Sequence, residues 1–130
     1  MDPARVVLFS SALSGWDAAR LVRAAVALGL PGVEWRAGPD QAIMGRRSGS
    51  TARALCAEAG LEICGLSVQD PEATLGAPRK AAGYVRLALE LGAPHVRVFA
   101  QTHTGGPLAR EQTRARAGLG RLVSSPHRTA

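Results

Sequence analysis

The sequence has 130 residues, enough for one hydrophobic core and too few for two ordinary domains. Hydrophobic residues make up 46% and charged residues 20%, a globular balance that excludes a collagen-like rod or a disordered acidic chain. The net charge of +6 gathers at one end: eleven basic residues face nine acidic ones before position 107, and five face one from there on. The longest apolar runs, Val6 to Phe9 and Ala24 to Leu28, fall far short of the roughly 20 residues of a membrane span. Met1-Asp2-Pro3 is not a cationic start leading into an apolar segment, so a cytoplasmic protein with no membrane partner is expected. Cys56 and Cys64 stand eight apart, which matches no CxxC metal or redox spacing, and both are expected to be buried thiols.

Taken in chain order, Val6 to Ser10 reads as a first strand. Trp16 to Leu28 follows as a helix with Ser14 as its N-cap and Ala18, Leu21, Val22, Ala25 and Leu28 on its apolar face. Gly32 to Arg36 is a second strand, and the loop Ala37 to Gly49 leads to a helix from Thr51 to Ala59 capped by Ser50. Glu62 to Val68 is a third strand, and Gln69 to Pro78 a loop. Arg79 to Leu91 is a third helix, His95 to Phe99 a fourth strand, and Pro107 to Leu122 a last helix with proline in its first turn. Ser124 to Ala130 reads as a disordered tail, placing the folded unit within residues 1–122 and the tail at 123–130.

One phrase recurs. Ala27-Leu28-Gly29-Leu30, Glu58-Ala59-Gly60-Leu61 and Glu90-Leu91-Gly92-Ala93 set glycines 31 and 32 residues apart, each between an amphipathic stretch and a short apolar run. That is the pattern of a helix closed by a glycine and followed by a strand. Its repetition argues for consecutive βα units around a parallel sheet. Loops after strands are longer than loops after helices, and in parallel α/β folds the binding residues lie on that side. The turn Ser10 to Trp16 contains no GxGxxG, which argues against a dinucleotide-binding sheet.

The segments Gly32-Val33-Glu34-Trp35-Arg36, Ile63-Cys64-Gly65-Leu66-Ser67 and Leu91-Gly92-Ala93-Pro94-His95-Val96-Arg97-Val98-Phe99-Ala100 resemble the first half of the xylose isomerase-like barrels, the sugar phosphate isomerase/epimerase family. The resemblance runs from about Arg5 to Leu122. It implies an α/β fold of four consecutive βα units forming half of a (β/α)8 TIM barrel. It also implies kinship with enzymes in which a divalent metal polarises a sugar carbonyl while a carboxylate moves the neighbouring proton. Relatives hold that metal through glutamates, an aspartate and a histidine of the later strands. No position of this chain corresponds to them, so no catalytic or metal-ligating residue carries over, and a chain inactive by itself is expected. The sequence stops where a fifth strand would begin, which leads to the expectation of a truncated or frameshifted gene product. The expected ligand is a small sugar or sugar phosphate.

Alternation within the second strand turns Glu34 away from Val33 and Trp35. The same rule on the fourth strand turns Arg97 away from Val96 and Val98. If the apolar members face the helices, Glu34 and Arg97 meet in the interior as a structural ion pair, because a lone interior charge costs several kcal/mol. Ser10, Glu34, Gln69 and His103 stand at or near strand ends and are the candidate substrate contacts. His95 begins the fourth strand on the opposite side, and His127 belongs to the tail. The endonuclease IV type of this fold carries a histidine ligand at the end of strand three, where this chain has Leu66-Ser67-Val68-Gln69, which weighs against DNA repair. Two other functions are kept in view: a non-catalytic half-barrel that pairs with a second copy through its open edges, and a nucleic-acid module using Arg110, Arg114 and Arg121. No aromatic residue is interleaved among those arginines for base stacking, which argues against the latter.

Overall fold

The computed structural model describes residues 6–38, 40–69 and 78–98. Four parallel strands, β1 (Leu8–Phe9), β2 (Gly32–Ala37), β3 (Glu62–Val68) and β4 (Val96–Val98), lie side by side in the order β1-β2-β3-β4. Three helices connect them: α1 (Ala18–Ala27), α2 (Arg46–Ala59) and α3 (Pro78–Leu91). A 3-10 turn over Ser10–Leu13 precedes α1. The expected helix over residues 107–122, the tail and the end of strand four at Phe99 lie outside the described residues.

The strand order never reverses, and α2 packs between α1 and α3, so all three helices cover one face of the sheet. A doubly wound sheet would instead reverse its order and carry helices on both faces. The core lies between the helix layer and the sheet. Leu21, Val22 and Ala25 of α1, Ala52 and Cys56 of α2, and Leu87, Ala88 and Leu91 of α3 close over Val33, Trp35, Leu66 and Val68. Trp35 is fully buried at the centre and contributes the largest apolar side chain of that core.

The three recurring glycines each terminate a helix in the same way. Gly29, Gly60 and Gly92 have φ of 68°, 70° and 74°. Each donates its N–H to the carbonyl three residues back, while the residue after it donates to the carbonyl five back: Leu30 to Ala25, Leu61 to Cys56 and Ala93 to Ala88. This is the paired hydrogen-bond closure that a left-handed residue allows, and it turns the chain from helix into the next strand three times over.

Several boundaries differ from expectation for local reasons. Helix α1 is capped by Asp17, whose carboxylate accepts the Arg20 N–H at 2.8 Å, while the Ser14 hydroxyl bonds back to the Ser11 carbonyl. Leu28 is not on the apolar face: it follows the last helical turn and is 69% exposed. Helix α2 starts at Arg46 rather than Thr51, with the Ser48 hydroxyl accepting the Met44 and Gly45 N–H groups. Gly49, expected at the end of the loop, and Ser50, expected as the cap, both sit inside α2. A Cβ on Gly49 would come within 2.9 Å of Leu87, so the glycine lets α2 and α3 approach, and Ser50 bonds to Glu90 of α3. Strand one is reduced to two residues because Ser10 already enters the 3-10 turn, β2 extends one residue further to Ala37, and β4 begins at Val96.

A bulge in β3 has the largest consequence. Val33 pairs with Ile63 but Glu34 pairs with Gly65, leaving Cys64 as an extra residue. Strict alternation would put Ile63 and Leu66 on opposite faces. With the bulge, Ile63, Leu66 and Val68 all face the helices, and Gly65 and Ser67 turn to the other side.

Candidate functional site on the helix-free face

The face of the sheet opposite the helices, called helix-free because no helix of the described residues covers it, is built by alternation. Val33, Trp35 and Ala37 of β2 are buried under the helices, so Glu34 and Arg36 point the other way. Gly65 and Ser67 do so on β3 and Arg97 on β4, with Arg36 and Arg97 both in register with Ser67. Phe9 of β1 pairs with Glu34.

The pair expected from sequence is present: Arg97 Nη2 lies 2.6 Å from Glu34 Oε2. The Glu34 side chain is 17% exposed and that of Arg97 47% exposed. These residues come from strands two apart, a backbone separation of about 9.5 Å. Their side chains meet over β3 because that strand carries only Gly65 and Ser67 on this face. Arg97 also reaches the Phe9 ring, with its guanidinium carbon 5.2 Å from the centroid. A flat sheet would hold β1 and β4 about 14 Å apart, so residues of β1, β2 and β4 converge over the middle of this face. Below them the His95 imidazole lies over Gly65, where a Cβ would come within 2.6 Å of Nε2.

At the carboxyl ends of the strands Arg36 is the organising residue. Its Nη1 donates to Ser11 Oγ at 2.8 Å and its Nη2 donates to Gln69 Oε1. One guanidinium therefore ties together the ends of β1, β2 and β3. Ser10 is buried, and its hydroxyl accepts the Arg36 backbone N–H at 2.8 Å, fastening the end of β1 to β2. Ser67 is fully buried and its Oγ has no hydrogen-bond partner among the described residues.

Of the substrate contacts expected from sequence, Glu34 and Gln69 share this face, Ser10 supports it from beneath, and His103 lies outside the described residues. Sequence reasoning missed Arg36 and Ser67. Arg36 was legible, since it follows Glu34 by two positions and so shares its face. Ser67 was legible in the same way, since it stands between the apolar Leu66 and Val68.

A second concavity of about 580 Å³ opens between the N-terminal ends of α1 and α2, lined by Asp17, Ala42, Met44 and Ser48 among others. It lies on the helix side, and its two most suitable polar groups, Asp17 and Ser48, are spent on capping their own helices. Among the described residues no three His, Cys, Asp or Glu side chains come together as a metal site. The described part of the helix-free face offers Glu34, already ion-paired, with Glu62 and His95 toward the opposite end. Also among the described residues, no helix is long and apolar enough to cross a membrane.

No family model matches the chain, and no curated protein matches it either.

Proposed function

We propose that this chain supplies the first four βα units of a barrel of the xylose isomerase-like kind, and that its helix-free face binds a small sugar or sugar phosphate. The observation that carries this reading is the convergence of Arg97 of β4 with Glu34 of β2 and Phe9 of β1 over one polar face. Converging side chains on the concave side of a singly wound parallel sheet are what the interior of a (β/α)8 barrel consists of. The role assigned to these residues is binding: Glu34 and Gln69 accept hydroxyl hydrogen bonds, and the guanidinium groups donate to ligand oxygens. The divalent metal of the family does not fit the donors described on this face, and no reaction step is routed through it.

Calorimetric titration of the full chain with aldoses, ketoses and their phosphates tests the proposal. Saturable binding that Glu34→Gln weakens is the expected result. Absence of binding by every compound, or binding indifferent to Glu34→Gln, would refute it.

A second reading is favoured by the sheet borders. Among the described residues β1 pairs only with β2 and β4 only with β3, so each has an open outer edge. Two copies joined edge to edge about a two-fold axis would make a closed ring of eight parallel strands. Sedimentation equilibrium distinguishes this arrangement: a discrete dimer supports it and a stable monomer removes it. The nucleic-acid reading rests on residues 107–130, outside the described part, and no structural observation favours it.

A further inference from the structure

Among the described residues, Arg36 carries a positive charge with no carboxylate bonded to it. Its two side-chain partners among the described residues, the Ser11 hydroxyl and the Gln69 amide oxygen, are both neutral. A guanidinium has five N–H donors, and these contacts occupy two of them. The nearby carboxylate, Glu34, is held by Arg97 at 2.6 Å. At the carboxyl ends of the strands, the described part of the helix-free face therefore sets two guanidinium groups, Arg36 and Arg97, beside the Glu34 carboxylate. Beside Arg36, and in register with both it and Arg97, stands the Ser67 hydroxyl, fully buried and without a hydrogen-bond partner among the described residues. Buried polar groups are nearly always satisfied, and an orphan hydroxyl next to a fixed, unpaired cation calls for an acceptor.

We propose that Arg36 and Ser67, flanked by Arg97, form an oxyanion subsite that takes the carboxylate or phosphate group of a small ligand. Arg36 is already fixed by its bonds to the ends of β1 and β3, so little side-chain freedom is lost when the anion arrives. The guanidinium offers a planar set of donors, Ser67 adds a hydroxyl donor, and the Arg97–Glu34 pair keeps the nearby Glu34 carboxylate neutralised. The subsite lies at the strand ends where parallel α/β folds bind ligands. This inference deepens the sugar-binding reading by naming the charged end of the ligand, and it rests on that reading only for the location.

The test is calorimetric titration of the full chain, at one fixed ionic strength, with inorganic phosphate, with glycolate and with a neutral hexose. Saturable binding of phosphate or glycolate is expected, and which of the two binds identifies the source of the anion. Arg36→Gln should weaken that binding by about tenfold or more. Ser67→Ala should weaken it by about threefold without lowering the melting temperature, since it deletes an unpartnered hydroxyl, and it keeps the test decisive if Arg36→Gln does not fold. Arg23→Gln, an exposed change on α1, removes the same charge and should leave the affinity unchanged. The proposal is overturned if neither anion binds saturably, or if Arg23→Gln weakens binding as much as Arg36→Gln does. Hexose binding that depends on Glu34, without anion binding, would sink the subsite and spare the sugar reading. Anion binding through Arg36 without any hexose binding would do the reverse.

Discussion

Replacing Arg97 by leucine leaves Glu34 as a carboxylate that is 17% exposed and has lost its guanidinium partner. Opposite charges about 4 Å apart attract by about 4 kcal/mol at an effective dielectric near 20. That value must be reduced, because 47% of the Arg97 side chain stays in water and the carboxylate has already been partly desolvated. A coupling of about 1–2 kcal/mol remains, above the roughly 0–1 kcal/mol of a fully exposed pair. Urea denaturation of the wild type, Glu34→Gln, Arg97→Leu and the double variant measures it as a cycle. Arg97→Leu alone should be less stable than the double variant, in which the stranded charge is gone. Loss of the Phe9 contact is common to both Arg97 variants and cancels. The coupling should also shrink when the cycle is repeated in 0.5 M salt, roughly a 4 Å screening length. Losses that add within about 0.3 kcal/mol would refute the claim that the two residues act as a pair.

Three further outcomes are expected. Gly65→Ala should cost about 1 kcal/mol by forcing the His95 ring aside, and that cost should vanish in a His95→Ala background, as denaturation of the four proteins would reveal. Asp17→Ala should destabilise by about 1 kcal/mol and Ser14→Ala by less than half of that; the reverse order would contradict the capping assignment. Burial raises the Cys56 thiol above its ordinary 9.0, the Trp35 side chain counters part of the rise, and Cys64 adds to it. Because the folded chain holds that proton more tightly than the unfolded chain, the stabilisation is complete below about pH 9 and is lost as pH climbs through the higher folded value. The melting temperature of the wild type should therefore fall more between pH 8 and pH 10 than that of Cys56→Ala, and a thiol reagent should label the partly exposed Cys64 well before Cys56.

Much of this architecture was written into local sequence. Gly29, Gly60 and Gly92 announce the helix ends because a left-handed residue closes a helix whatever surrounds it, and the alternation through Val33, Glu34 and Trp35 gave the faces of β2. The Glu34–Arg97 pair followed from the same alternation on two strands. What escaped was non-local. Gly49 and Ser50 lie inside α2 because of Leu87 and Glu90 on another helix. Asp17 displaced Ser14 as a cap because the 3-10 turn over Ser10–Leu13 consumed the serine. Ile63 joined Leu66 and Val68 on the helix side only through the Cys64 bulge, which nothing in the residues of β3 alone requires.

The central claim is that a single concave face gathers side chains from β1, β2 and β4. Nuclear Overhauser contacts between the Phe9 ring and the Arg97 side chain, recorded on the isotope-labelled full chain, address it most directly. The account predicts those contacts. Their absence, together with contacts from Phe9 to Leu21 or Val22 of α1, would mean that a helix occupies this face and that the sheet is not singly wound.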